Sequence, residues 1–239
     1  METEEDMTTK TMLLTGGSRG IGHAIAIEAA KRGWFVSLGL RDASALPTGL
    51  TPETAEAVPY DAAAGGERDW VKGVLERRGR IDAVVACAGI LEHDRIVTED
   101  EDTVQRLFEV NVHAPRRLAA AAWDALAETG DGRIIVMASL SGKRVKSKRS
   151  GLYSFSKFAA VGLAHALRHE GWDLGIRATA ICPGLVRTDM GESAANGGFP
   201  PEAMTQVGDV ATLTLNTLEL PGTLCQAEIA FNCQPDGIH

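Results

Sequence analysis

Short apolar runs alternate with stretches of helical spacing along the whole chain. Thr11-Met-Leu-Leu-Thr15 has strand length, and the residues from Gly20 to Arg32 then place Ile21, Ala24, Ile25 and Ala29 at helical intervals. Phe35–Leu40 predicts a second strand and Ala57–Tyr60 a short third. A helix near Glu67–Arg78 leads into a buried strand over Ile81–Cys87. A long helix is expected over about Glu101–Glu128, with a kink at Pro115, where the imide nitrogen has no proton to give to the helix ladder. Gly132–Ala138 predicts a strand, Ser150–Trp172 a helix, Ile176–Cys182 a strand and Gln226–Phe231 the last strand. Ala43–Glu56 carries Pro47 and Pro52 and is poor helical material, so the second crossover is expected to be short or irregular.

Strands buried on both faces and separated by helices require a parallel sheet covered on each side. Right-handed crossovers then give a doubly wound, Rossmann-like α/β fold of about seven strands. No proline- or serine-rich linker and no internal repeat divides the sequence, so residues 1–239 read as one domain, with residues 1–9 a frayed tail. The glycine-rich stretch at about residues 190–205 reads as a mobile substrate lid.

Composition narrows the picture. Hydrophobic residues make up 44% and charged residues 23% of the 239, ordinary values for a globular protein. No apolar run is long enough to span a membrane. The acidic start lacks the basic-then-apolar order of a secretory signal, and a cytoplasmic setting is expected. A net charge of −8 argues against nucleic acid as a partner. Cys87, Cys182, Cys225 and Cys233 show no metal-ligand spacing, and the first three lie in strand-like runs as small hydrophobes. His165 and His169 stand four apart without a third ligand, so no metal is expected. One segment breaks the acidic trend: Lys143-Arg-Val-Lys-Ser-Lys-Arg149 is strongly basic.

Two motifs carry chemistry. Thr15-Gly16-Gly-Ser-Arg-Gly20-Ile-Gly22 follows the first strand and opens the first helix. Its glycines permit a tight turn and let backbone approach a pyrophosphate, whose charge meets the helix N-terminus. Tyr153 and Lys157 are four apart, which on a helix places them on one face, roughly 5–6 Å apart at Cβ. An ammonium beside a phenol favours the phenolate, so the pair is expected to lower the Tyr153 pKa toward the range of a general acid.

The Gly-x-x-x-Gly-x-Gly spacing together with Tyr153-x-x-x-Lys157 resembles the short-chain dehydrogenase/reductase family, and the likeness covers nearly the whole chain. Cys87-Ala88-Gly89 stands where the family usually has Asn-Ala-Gly, Asn111 lies in the long helix, Ser139 follows the fifth strand, and Pro183-Gly184 with Thr188 follows the sixth. The resemblance implies that Tyr153 exchanges a proton with the substrate oxygen while hydride moves to or from nicotinamide. Lys157 would tune Tyr153 and hold the nicotinamide ribose. Ser139 would hold the substrate oxygen, with Ser141 the alternative two places on, and Asn111 would steady a water leading to Lys157. Cofactor contacts are implied for Gly16, Ser18, Arg19, Gly20, Ile21 and Gly22 of the first turn, and for Ala88 and Gly89 after the fourth strand. Pro183, Gly184, Val186 and Thr188 are implied after the sixth, with Asp61 toward the adenine. Homodimers or homotetramers are the family's usual assemblies.

An acidic residue at the end of the second strand binds a free ribose 2′-hydroxyl, whereas arginine accommodates a 2′-phosphate. Here Leu40 takes the usual acidic place and Arg41 follows, with Arg19 a second cation, so NADP(H) is expected over NAD(H). The expected activity is interconversion of a small-molecule secondary alcohol and ketone. A non-catalytic NADP(H)-binding sensor of the same fold is the alternative. An epimerase or dehydratase is disfavoured by the little room left for a sugar-nucleotide domain. The basic run lies between Ser139 and Tyr153 and either attracts an anionic substrate or is a solvated loop.

Overall fold

Alternate residues of β1 (Thr11–Thr15) belong to different cores: Met12 and Leu14 pack on one side of the sheet and Leu13 on the other. The same division of neighbours recurs in β5 (Arg133–Met137), where Ile134 and Val136 face one core and Ile135 and Met137 the other. Side chains that alternate across a pleat and are apolar on both faces need helices on both sides. The computed structural model, which describes residues 9–235, supplies them. One core is closed by α1 (Gly20–Lys31) and α7 (Val207–Leu218), the other by α2 (Glu67–Arg78), α4 (Ala114–Glu128) and α5 (Gly151–Gly171).

The remaining strands are β2 (Phe35–Leu40), β3 (Ala55–Pro59), β4 (Ala83–Ala86), β6 (Arg177–Pro183) and β7 (Glu228–Phe231). All seven are parallel, in the order β3-β2-β1-β4-β5-β6-β7. The order reverses between β1 and β4. Ligands of open parallel sheets lodge at such a switch point, beyond the carboxyl ends of the strands. The β2–β3 crossover holds no helix, as its prolines require, and β3 begins two residues earlier than the apolar pattern suggests. Cys225 lies in the loop before β7 rather than in a strand. Residues 1–8 of the expected tail and residues 236–239 lie outside the described part. No helix among the described residues is long and apolar enough to cross a membrane, and no cluster of metal-ligating side chains forms among them.

Two predicted elements differ. The long helix is three pieces: α3 (Glu101–Phe108), a π-helical turn over Glu109–His113, and α4. Pro115 marks the break but does not sit in it. Its missing N–H denies the α-helical partner to the carbonyl of Asn111, four residues back, and the ladder loosens there, with Ala114 N–H reaching back to the Glu109 carbonyl. The predicted lid loop is partly helical: α6 (Asp189–Ala195) starts at Thr188, whose hydroxyl accepts from Gly191 N at 3.0 Å, and ends where Asn196 turns left-handed at φ 47°.

Gly142 fixes how closely α5 approaches the sheet. A Cβ there would stand 2.6 Å from the Lys157 carbonyl oxygen and 3.0 Å from a Val161 methyl. Gly142→Ala is therefore expected to destabilise the fold by about 1–3 kcal/mol, read as a lower urea midpoint. An unchanged midpoint would mean that α5 can retreat freely.

Candidate active site

Thr15 closes the switch point. Its hydroxyl accepts the backbone N–H of Cys87 at 3.1 Å and of Ala88 at 3.0 Å, tying the end of β1 to the chain leaving β4. Gly16 then turns at φ 73°, with no room for a side chain: a Cβ would meet Ala88 N at 2.8 Å. Gly20 turns again at φ 58° beside Thr188, and no side chain caps the start of α1. The result is a bare backbone cradle at a helix N-terminus, the arrangement that receives phosphate.

A cleft of about 1630 Å³ runs from this cradle in both directions. Gly16, Ser18, Arg19, Gly20, Ile21 and Gly22 line it, as do Arg41, Asp61, Ala88 and Gly89, then Pro183, Gly184, Val186 and Thr188, and finally Ser139, Tyr153 and Lys157. Asn111 is the one predicted residue that does not. It is buried behind Gly89, where its side chain accepts from Ile90 N at 2.9 Å and donates to Ile90 O and Ser156 Oγ. That side chain braces the wall, with both amide N–H groups engaged.

At the adenosine end, Arg41 is exposed and makes no hydrogen bond or ion pair among the described residues. Asp42 forms no ion pair with it. Its carboxylate accepts Ser44 N at 3.0 Å, and hydrogen bonding to Ser44 holds its pKa below the usual carboxylate range. Asp61 accepts Ala63 N at 3.0 Å and stays solvent-exposed. Arg19, expected to join Arg41, instead pairs with Asp189 of α6 at 2.5 Å, and both side chains are 77% exposed.

At the other end, α5 presents Tyr153 and Lys157 on one buried face, with the ammonium 5.7 Å from the ring centroid. The Ser139 side chain stands close enough to the phenol to lower its pKa, and its hydroxyl donates to the Pro183 carbonyl at 3.5 Å. Ser139 Oγ also accepts Ser141 N at 3.1 Å, which orients it. Ser139 and Ser141 both line the cleft, and of the two it is Ser139 that acts on the phenol's pKa. Lys157 Nζ donates to the Met137 carbonyl at 2.9 Å.

Electrostatics overturn one expectation. Burial pushes the Tyr153 phenol up to about 12, and the nearby Ser139 side chain recovers only part of that. Burial also pushes Lys157 down to about 8. Desolvation favours the neutral form of each group, and it is the largest cause of both shifts. The neighbouring thiol of Cys87 is pushed up to about 12 by the same burial and stays protonated.

Neither Thr15's hydroxyl nor the Met137 carbonyl has a role legible in the residues alone. A hydroxyl inside a glycine motif has only its position after a strand as a signal, and a backbone acceptor has none. A third feature was also missed. Glu67, buried, accepts from Tyr60 and from Arg117, and Arg117 also pairs with Glu109 in the π-turn.

Residues 10–197 match the family profile described as short chain dehydrogenase. The chain is 34% identical over 242 residues to the agropine synthesis reductase of Rhizobium rhizogenes, covering 99% of this chain but 55% of that protein, so it spans about half the length of that curated relative. It is 35% identical over 194 residues to the cyclic-di-GMP-binding biofilm dispersal mediator protein of Escherichia coli, covering 80% of this chain and 78% of that one. Among solved structures, an alcohol dehydrogenase from the archaeon Thermococcus sibiricus complexed with 5-hydroxy-NADP superposes with a TM-score of 0.81 at 29% identity, covering 96% of this chain and 100% of that chain. The chain belongs to the short-chain dehydrogenase/reductase family of oxidoreductases.

The depressed Lys157 pKa has a stability signature. Its folded value, about 8, lies below its ordinary value of 10.5, so its contribution is least favourable below pH 8 and recovers as pH rises toward 10.5, by about 1.4 kcal/mol per unit of depression. Lys157→Met is expected to be more stable relative to wild type at pH 7 than at pH 10 in urea unfolding. A pH-independent difference would contradict the burial of this charge.

Proposed function

We propose that this chain is an NADP(H)-dependent oxidoreductase that interconverts a secondary alcohol and a ketone. The observation that carries the reading is the Ser139–Tyr153–Lys157 arrangement, set at one end of a cleft whose middle is a glycine cradle for phosphate. The cradle fits a dinucleotide, because a Cβ at Gly16 or Gly22 would collide with backbone that has to stay open to the pyrophosphate. When bound, the nicotinamide group supplies or accepts the hydride.

The chain's own residues handle the proton and the charge. The hydroxyls of Ser139 and Tyr153 converge on the position of the substrate oxygen, donors already in place where negative charge develops. With its pKa raised to about 12, Tyr153 is a neutral phenol at pH 7 and holds the proton that ketone reduction requires. Its loss becomes favourable as charge builds on the substrate oxygen, and Lys157 then stands beside the new phenolate. The ammonium therefore acts on the product of proton transfer more than on the resting acid. Tyr153→Phe is expected to lower kcat by at least about a hundredfold while leaving the NADPH dissociation constant unchanged. A variant that keeps most of its turnover would overturn the role given to Tyr153.

Arg41 supports the choice of NADP(H), being an unpartnered cation at the end of β2 on the wall of the cleft. Arg41→Ala should weaken NADPH by about tenfold or more in a fluorescence titration and leave NADH untouched. An equal loss for both cofactors would mean that Arg41 does not read the 2′-phosphate.

A second reading has one observation in its favour: the Escherichia coli relative is named for cyclic-di-GMP binding. On that reading the chain is a nucleotide-binding regulator. Wild-type protein that binds NADPH yet reduces no ketone, oxo acid or 3-oxoacyl thioester would favour it.

A further inference from the structure

No acidic residue occurs between Asp131 and Glu170, and five of the seven residues from Lys143 to Arg149 are cations. In a protein of net charge −8 this segment has an electrostatic character of its own, and the fold divides its members by task. Lys143 is structural: it pairs with Glu228 of β7, whose other oxygen meets His165 of α5 at 2.6 Å. Lys148 and Arg149 form an exposed 3-10 turn and lie off the cleft wall. Arg144 and Lys146 line the cleft that also holds Ser139 and Tyr153.

Lys146 is the distinctive one. It makes no hydrogen bond or ion pair among the described residues. The loop that carries it is nevertheless pinned, because Ser147 N donates to Ser150 Oγ at 3.0 Å and Ser150 Oγ donates back to Ser147 O at 2.9 Å. Most acidic groups on the neighbouring elements are paired with cations: Glu228 holds Lys143 and His165, Glu92 holds Arg106, and Asp189 holds Arg19. Asp94, whose carboxylate accepts Arg95 N at 2.7 Å, keeps its charge but does not line the cleft. Glu192 of α6 lines the cleft without an ion pair among the described residues, and so do the cations Lys146 and Arg187.

A cation without an ion pair on the wall of a cleft attracts negative charge and raises its local concentration. We propose that the substrate is a carbonyl compound bearing an anionic group, a carboxylate or a phosphate, and that Lys146 meets that group. This rests on the oxidoreductase reading above and names its substrate class. An exposed ion pair contributes up to about 1 kcal/mol, which is about fivefold in affinity.

The test compares 3-oxo acids with the ethyl esters of the same acids, and dihydroxyacetone phosphate with dihydroxyacetone, using NADPH as reductant. Wild-type protein is expected to prefer the charged member of at least one pair, the pair that responds distinguishing carboxylate from phosphate. Lys146→Gln should lower that charged-to-neutral ratio of kcat/KM by about threefold to fivefold, through KM. Lys148→Gln removes the same charge off the cleft wall and should leave the ratio as it was. A wild-type preference for the neutral members, or equal effects of the two substitutions, would overturn the proposal. If neither series is reduced, it is the reaction class that fails. Calorimetric dissociation constants of the same pairs on the NADPH-loaded protein then decide the charge preference, and equal affinities for acid and ester and for phosphate and alcohol would sink it.

Discussion

A lysine ammonium shielded from water is the constraint around which the rest of this protein is arranged. Lys157 is 5% exposed, and removing such a charge from water carries a penalty of several kcal/mol per ion unless polar groups replace the lost hydration. The Met137 carbonyl at the end of β5 is the partner that does so. For that bond to form, α5 has to lie hard against the sheet edge, and the bare Cα of Gly142 permits it. Gly89 and the Asn111 amide close the other side, where a Cβ at residue 89 would stand 3.5 Å from the ammonium. The cation thus dictates the end of a strand, the seat of a helix and the choice of glycine at two turns.

The same burial governs Tyr153, one helical turn earlier. Both groups are driven toward their neutral forms, so the resting site resists carrying charge. That suits a site whose task is to let charge appear briefly on a bound oxygen. Further support reaches this region from the adenosine end. Tyr60, beneath that end of the cleft, donates to Glu67, and Arg117 joins Glu67 to Glu109 in the turn that also carries Asn111. Each member of this partly buried network is matched by an opposite charge or a hydrogen bond, and such networks rigidify what they connect. The two ends of the cleft therefore share one scaffold, across a π-turn.

Much of this was legible in the residues themselves. Strand-length apolar runs with a glycine turn after the first of them define the sheet and its switch point, because side-chain periodicity is a local property. Tyr153 and Lys157 were legible for the same reason. What escaped was set by distance or by burial. Pro115 announces a break, yet it acts on the carbonyl four residues back, so the disturbance falls ahead of it. Glycine-rich composition around residue 191 disguised a short helix whose real signal was the Thr188 cap. The direction of the Tyr153 shift depends on how much water the folded chain excludes, and spacing alone carries no such information. Spacing alone does not choose between Ser139 and Ser141, because the influence of Ser139 on the phenol arises only in the folded chain.

One pair, Arg19 with Asp189, joins residues 170 positions apart on opposite walls of the cleft. Both are bathed in solvent, where such a contact is worth at most about 1 kcal/mol, little more than thermal energy. The link between the turn after β1 and the start of α6 is thus one that salt can screen. Neither partner gives up much on parting, because water can solvate each of them as fully as its partner does.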